Sequence, residues 1–183
     1  MKVFGITGSS GSGKTTLLDQ LIPRFVAAGL RVAGVKHTHH RFDPDTPGKD
    51  SWRMREGGCR NVVLVGERHM TLMRHYPEPV PSPELDDALA VLPPDTDLVL
   101  VEGYKRSDFP KLEVFRPSLG RLPLWSEVPG VMAVGTDAVA AVSAMTALPV
   151  LDLADPDAIF AFVRDHAIDY SAAARASSAT SGT

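Results

Sequence analysis

The stretch Gly8-Ser9-Ser10-Gly11-Ser12-Gly13-Lys14-Thr15 reads G-x-x-x-x-G-K-T. Residues of these types at this spacing can cradle phosphate. Glycines let successive backbone N–H groups point inward as an anion nest, in dihedrals that bulkier residues could not adopt. A helix starting at that point adds the equivalent of about half a positive charge. In such a loop Lys14 reaches the β- and γ-phosphates and the Thr15 hydroxyl ligates Mg²⁺. A nucleotide-bound Mg²⁺ usually gains a carboxylate from the end of a neighbouring strand. Two acids, Asp97 and Glu102, flank the apolar run Leu98–Val101. Ligands of open α/β sheets gather at the carboxyl ends of strands, which selects Glu102 to hold a metal-bound water or to orient an attacking one. Asp43 and Asp50 are rival Mg²⁺ partners.

A third concentration of chemistry is Lys36-His37-Thr38-His39-His40 with Asp43, Asp45, Lys49 and Asp50. Three imidazoles beside carboxylates could bind Zn²⁺ or Ni²⁺, although H-x-H-H matches no closed tetrahedral site. Lys36, His37 and Lys49 could instead face a phosphorylated partner molecule. A solvated polar loop is the third reading.

The elements that must position these groups are legible around them. Val3–Thr7 is a short apolar strand running straight into the glycine loop. Apolar residues then recur at helical spacing from Leu17 to Val26, with Gly29 placed as a C-cap and Pro23 predicting a kink or an early end. Arg31–Lys36 reads as a second buried strand. Strand, helix and strand together span about 35 residues, one right-handed βαβ unit with parallel strands. Downstream, Asp50-Ser51 caps a short helix from Trp52 to about Gly57, and Val62–Val65 with Met70–Met73 form a strand pair joined at Gly66–His69. Pro77–Pro83 reads as a rigid connector and Glu84–Leu92 as a short amphipathic helix. Leu98–Val101, Val131–Val134 and Val150–Leu153 are further strands, and Lys111–Phe115 alternates apolar and charged residues as a half-exposed strand does. Asp155-Pro156 opens the last helix. The fold expected is α/β: a P-loop NTPase-type, mostly parallel sheet flanked by helices, with an added antiparallel strand pair. Residues 1–170 form one nucleotide-binding domain, and 171–183, nearly all small residues, form a disordered tail.

Composition narrows the classes further. The 183 residues carry 19 Lys+Arg against 22 Asp+Glu, a net charge of −3, which argues against a nucleic-acid binder working through a basic face. No apolar run is long enough to cross a membrane, and the N-terminus lacks a signal-peptide core. One cysteine, Cys59, permits no internal disulfide and fits the cytoplasm. It reads as buried filler rather than a nucleophile.

Four segments together resemble the molybdopterin-guanine dinucleotide biosynthesis adapter (MobB) family: Gly8–Thr16, Val35–Ser51, Leu98–Lys105 and Pro110–Arg116. The resemblance spans residue 1 to about 168. It implies a P-loop protein that binds GTP with Mg²⁺, hydrolyses it feebly, forms a homodimer and assists the guanylyltransferase that attaches GMP to molybdopterin. On this reading Gly8, Ser9, Ser10, Gly11, Ser12, Gly13, Lys14, Thr15 and Thr16 hold the GTP phosphates and Mg²⁺. Glu102 is the strand-end acid, and the His37–Asp50 loop lies beside the nucleotide, where molybdopterin could reach it.

Guanine is not written in the residues, since the [NT]-K-x-D box is missing. Asp137 follows the Val131–Val134 strand in a comparable place and could accept from the guanine N1–H and 2-amino group, or could serve as a helix N-cap. Slow hydrolysis agrees with the lack of an evident water-orienting Gln or arginine finger, although an arginine supplied by a partner could raise the rate. Two other classes compete. A P-loop small-molecule kinase would use Glu102 or Asp50 as base, and a metal-delivery GTPase would carry cargo on His37–His40. A plain interaction module leaves the glycine loop unexplained.

Overall fold

Residue parity along two apolar strands sets the architecture. In the computed structural model, which describes residues 1–38, 43–76 and 83–170, the chain runs β1 (Lys2–Thr7), α1 (Lys14–Ala27), β2 (Val32–Lys36), α2 (Asp50–Glu56), β3 (Asn61–Val65) and β4 (Met70–Arg74). It continues as α3 (Leu85–Leu89), β5 (Leu98–Glu102), β6 (Lys111–Val114), β7 (Val131–Thr136), α4 (Val139–Ser143), β8 (Val150–Asp152), α5 (Pro156–His166) and β9 (Ile168–Asp169). It divides into two compact units, Met1–His37 with Glu84–Thr183, and Thr38–Pro83. None of the described helices is long and apolar enough to cross a membrane.

In the first unit six parallel strands lie in the order β2-β5-β1-β6-β7-β8, and β9 adds antiparallel against the start of β1. Phe4, Ile6, Leu98 and Leu100 point to one face, where Leu17, Leu21 and Phe25 of α1 and Ile159 and Val163 of α5 cover them. Val3, Val99 and Val101 point to the other, packed with Phe109 and with Leu85 and Leu89 of α3. Burial on both faces is why β1 and β5 read as continuous apolar runs rather than alternating ones. Helix α1 continues through Pro23 to Ala27, so the early end predicted there does not occur. The start of α5 is as the sequence predicts: the Asp155 carboxylate accepts from the Ala158 N–H at 2.9 Å, with Pro156 in the first turn.

In β6 the structure departs from the expectation. Its alternation of charged and apolar residues predicts a half-exposed strand, yet all four residues are buried, because the strand lies between β1 and β7. Lys111 opposes Gly5 of β1 and would collide with any side chain there. Its ammonium donates to the carbonyls of Ser107, Phe109 and Pro129 and sits 3.8 Å from the Phe109 ring centroid. Three carbonyl dipoles and an aromatic face thus replace the water the ion gave up. Glu113 accepts from the Leu124 N–H with both carboxylate oxygens, at 2.9 and 3.0 Å, and so pins the segment leading to Trp125, which packs edge-on against Phe115. Burial pushes the Glu113 carboxyl above the usual glutamate range, opposed by the backbone N–H groups of Leu124 and Trp125 and by Lys105.

The second unit holds α2 and the antiparallel hairpin β3–β4, in register from Asn61↔Arg74 to Val65↔Met70. Arg55 of α2 donates to Asp43 at 2.8 Å, and the Ser51 hydroxyl donates to Asp45 at 2.7 Å. Cys59 is exposed, not buried; it follows α2 and the turn Gly57–Gly58.

Replacing Lys111 by Met keeps the bulk but takes the donor from the buried Phe109 carbonyl and from the half-buried contacts to Ser107 and Pro129, an expected loss of about 1–3 kcal/mol. Urea unfolding should show a lower midpoint at unchanged slope; an unmoved midpoint would show that the cation contributes nothing. Since the Glu113 carboxyl binds its proton more tightly when folded, its contribution to stability falls as pH rises through and above the ordinary glutamate range. Subtracting the Glu113→Gln pH–Tm profile from that of the parent should expose this fall, and a flat difference would refute it.

Candidate functional site

The glycine loop begins where β1 ends and closes into α1. Gly8, Gly11 and Gly13 all lie at positive φ, 138°, 78° and 102°. At Gly8 the requirement is doubled, because a side chain there would run into the Val114 carbonyl oxygen of β6 and the Ser12 hydroxyl. The loop is tied internally by Ser12 N–H to the Ser9 carbonyl at 3.3 Å, and to the helix by Leu17 N–H to the Gly13 carbonyl at 2.9 Å. Gly13 occupies the N-cap of α1 with no capping side chain, so the first-turn N–H groups face the loop. The Ser12 hydroxyl is fully buried and, like that of Thr7, has no hydrogen-bond partner among the described residues. The arrangement can bind an anionic group through main-chain donors.

Lys14 folds back over the loop, its ammonium 2.9 Å from the Ser9 carbonyl, 3.2 Å from that of Gly8 and 4.0 Å from Glu102 Oε1. Burial pushes this ammonium below the usual lysine range; Glu102 opposes the shift, while Lys105 and Lys36 add to it. Thr15 and Thr16 are exposed on the first turn of α1.

Glu102 ends β5, immediately beside β1 in the sheet. Its Oε2 lies 3.5 Å from the Lys36 ammonium, and the two residues are register partners across β2 and β5. The acid at the other end of β5, Asp97, is committed to Arg31, which donates to both of its oxygens at 2.9 Å and holds the carboxyl well below the usual aspartate range. After Glu102 the chain turns through Gly103 and Tyr104, both at positive φ, 99° and 46°. A side chain at Gly103 would meet the Cβ of His37 at 2.8 Å, and the His37 ring rests on Tyr104 at 4.6 Å between centroids. Lys14, Lys36, His37 and Glu102 are thus gathered at one end of the sheet. The Thr15 hydroxyl and the Glu102 carboxylate are hard oxygen donors, the type that Mg²⁺ takes in ones or twos beside phosphate and water.

The remaining predicted residues fall elsewhere. Lys49 is the N-cap of α2 and Asp50 its first residue, both exposed in the second unit. His39 and His40 lie outside the described residues. Asp43 is occupied by Arg55, whose bond holds its carboxyl below the usual range. With Asp45 and Cys59 it lines a cavity of about 920 Å³ in that unit. Among the described residues no group of three or more His, Cys, Asp or Glu could hold a metal ion. Asp137 follows β7 but does not cap α4, whose N-cap is Ala138. Its carboxylate instead receives the Arg116 guanidinium.

Arg116 is the site residue that sequence reasoning leaves unplaced. It follows β6, and its Nε donates to the Ser12 carbonyl at 2.8 Å. The one signal was its membership of the segment Pro110–Arg116, which the family resemblance includes.

Comparison with known proteins agrees with this architecture. Residues 3–137 match the family model described as MobB, molybdopterin guanine dinucleotide synthesis protein B. The molybdopterin-guanine dinucleotide biosynthesis adapter protein of Haemophilus influenzae is 43% identical over 140 residues, 74% of each chain. That of Escherichia coli is 41% identical over 117 residues, 62% of this chain and 65% of its own. The crystal structure of a MobB homologue from Bacillus stearothermophilus superposes with a TM-score of 0.63 at 27% identity, covering 89% of this chain and 95% of that one. With its glycine loop at the centre of a mostly parallel sheet and a family match over well more than half its length, the chain belongs to the MobB family of molybdopterin guanine dinucleotide synthesis proteins.

Proposed function

We propose that this chain is a nucleotide-binding adapter in molybdopterin guanine dinucleotide synthesis, holding GTP with Mg²⁺ in support of a guanylyltransferase. The observation that carries the reading is the loop Gly8–Thr16: three positive-φ glycines, a helix start without a capping side chain, and one lysine centred on loop carbonyls. The phosphates lie in the nest, where the backbone N–H groups and Lys14 meet them. Thr15 and Glu102 hold Mg²⁺, which supplies charge neutralisation at the phosphate oxygens. Lys36 stays paired with Glu102 and adds positive charge on the same side. Asp137 uses Oδ2 for Arg116, and we assign its Oδ1 to the guanine edge.

Hydrolysis is slow on this reading. The single glutamine, Gln20, lies in the second turn of α1 rather than beside the loop, and Arg116 is held by Ser12 and Asp137. A guanylyltransferase bound at this end of the sheet gains a neighbour whose occupancy reports guanine nucleotide. The family resemblance extends the proposal to a homodimeric, cytoplasmic protein, with molybdopterin approaching the His37–Asp50 segment.

Calorimetry against GTP, GDP and ATP with Mg²⁺ tests the reading. Lys14→Ala should weaken GTP binding about 10- to 100-fold, the worth of one or two charge-assisted contacts, without lowering Tm. Retained affinity would remove the loop from the site. Asp137→Ala should cut the ratio of GTP to ATP affinity about tenfold; an unchanged ratio would take Asp137 out of base recognition.

A further inference from the structure

Arg116 holds two partners that the proposed function assigns to opposite ends of a nucleotide. Its Nε donates to the Ser12 carbonyl at 2.8 Å, and its Nη1 pairs with Asp137. The guanidinium also turns its Nε–Nη2 edge toward Gly13, so that a side chain there would meet Nη2 at 3.4 Å and Nε at 3.6 Å. In a planar trans peptide the C=O and N–H point in opposite directions. A donor that fixes the Ser12 oxygen on the Arg116 side therefore turns the Gly13 N–H to the opposite side. Glycine at position 13 gives that peptide no steric preference of its own, so the hydrogen bond sets the orientation.

We propose that Arg116 is a positioning residue for the phosphate loop: by gripping the Ser12 carbonyl it aims the Gly13 N–H at the phosphate, and Asp137 anchors the guanidinium that does so. The inference rests on the nucleotide-binding reading above and adds a link between the base-side carboxylate and the phosphate-side loop. β6 carries this link because the same strand end presents the Val114 carbonyl to Gly8 and Arg116 to Ser12 and Gly13. One strand thus fixes the loop at both ends. The planar fork matters as well as its charge, since one guanidinium can hold a carbonyl and a carboxylate at once, whereas an ammonium is a point donor.

Inorganic tripolyphosphate, which has no base, is the probe. Arg116→Gln should weaken tripolyphosphate, GTP and ATP by one common factor of about 10 to 30, leaving the GTP to ATP ratio where it was. Arg116→Lys should fail to restore binding, and Asp137→Ala should weaken tripolyphosphate as well, by a smaller factor. In ¹⁵N-labelled protein the Gly13 amide shift induced by tripolyphosphate should shrink in Arg116→Gln while resonances remote from the loop keep their positions. Should Arg116→Gln fail to fold, Asp137→Ala with tripolyphosphate decides the matter. Full binding of tripolyphosphate by Arg116→Gln or by Arg116→Lys overturns the proposal, the latter by showing that charge alone suffices. If Lys14→Ala loses binding but Arg116→Gln keeps it, the positioning role falls and the nucleotide reading stands. If the parent binds neither GTP nor tripolyphosphate, both fall together.

Discussion

A glycine loop that closes at positive φ between a strand and a helix must hold a conformation that an isolated chain would not keep. That constraint organises the rest of this molecule. The left-handed glycines make the conformation accessible, but they also make it floppy, since glycine has the most freedom to lose. Rigidity is supplied from outside the loop: by β1, buried on both faces, by α1 packed through Leu17, Leu21 and Phe25, and by the end of β6. The sheet order places β5 and β6 on either side of β1, so the neighbouring strand ends deliver Glu102 on one flank and Arg116 on the other.

Much of this was legible in the residues. The glycine loop is a local pattern, and its strand and helix are local too, so neither depends on where the rest of the chain goes. That Glu102, unlike Asp97, lies at the loop's end of the sheet could be read because parallel strands share a direction. Arg116 was not legible, for its partners Ser12 and Asp137 stand 104 and 21 positions away. Only the adjacency of β6 to β1 and β7 brings the three together.

The burial of β6 misleads for a related reason. Alternating charge normally marks a strand with one wet face, and Lys111 and Glu113 fit that rule by type. What the residues cannot reveal is that three carbonyls converge on one charge and a backbone N–H on the other, which allows both to leave water. Cys59 errs in the opposite sense: cysteine as a type favours the interior, but this one follows a helix of seven residues and a glycine turn and is left exposed.

That exposed thiol has a practical side. As the single sulfhydryl of the chain, and one located in the unit formed by Thr38–Pro83, it offers one defined attachment point per molecule. A fluorophore or spin label coupled there would report on the hairpin unit and leave the glycine loop chemically untouched, and any covalent pair formed by air oxidation would have to be the symmetric one.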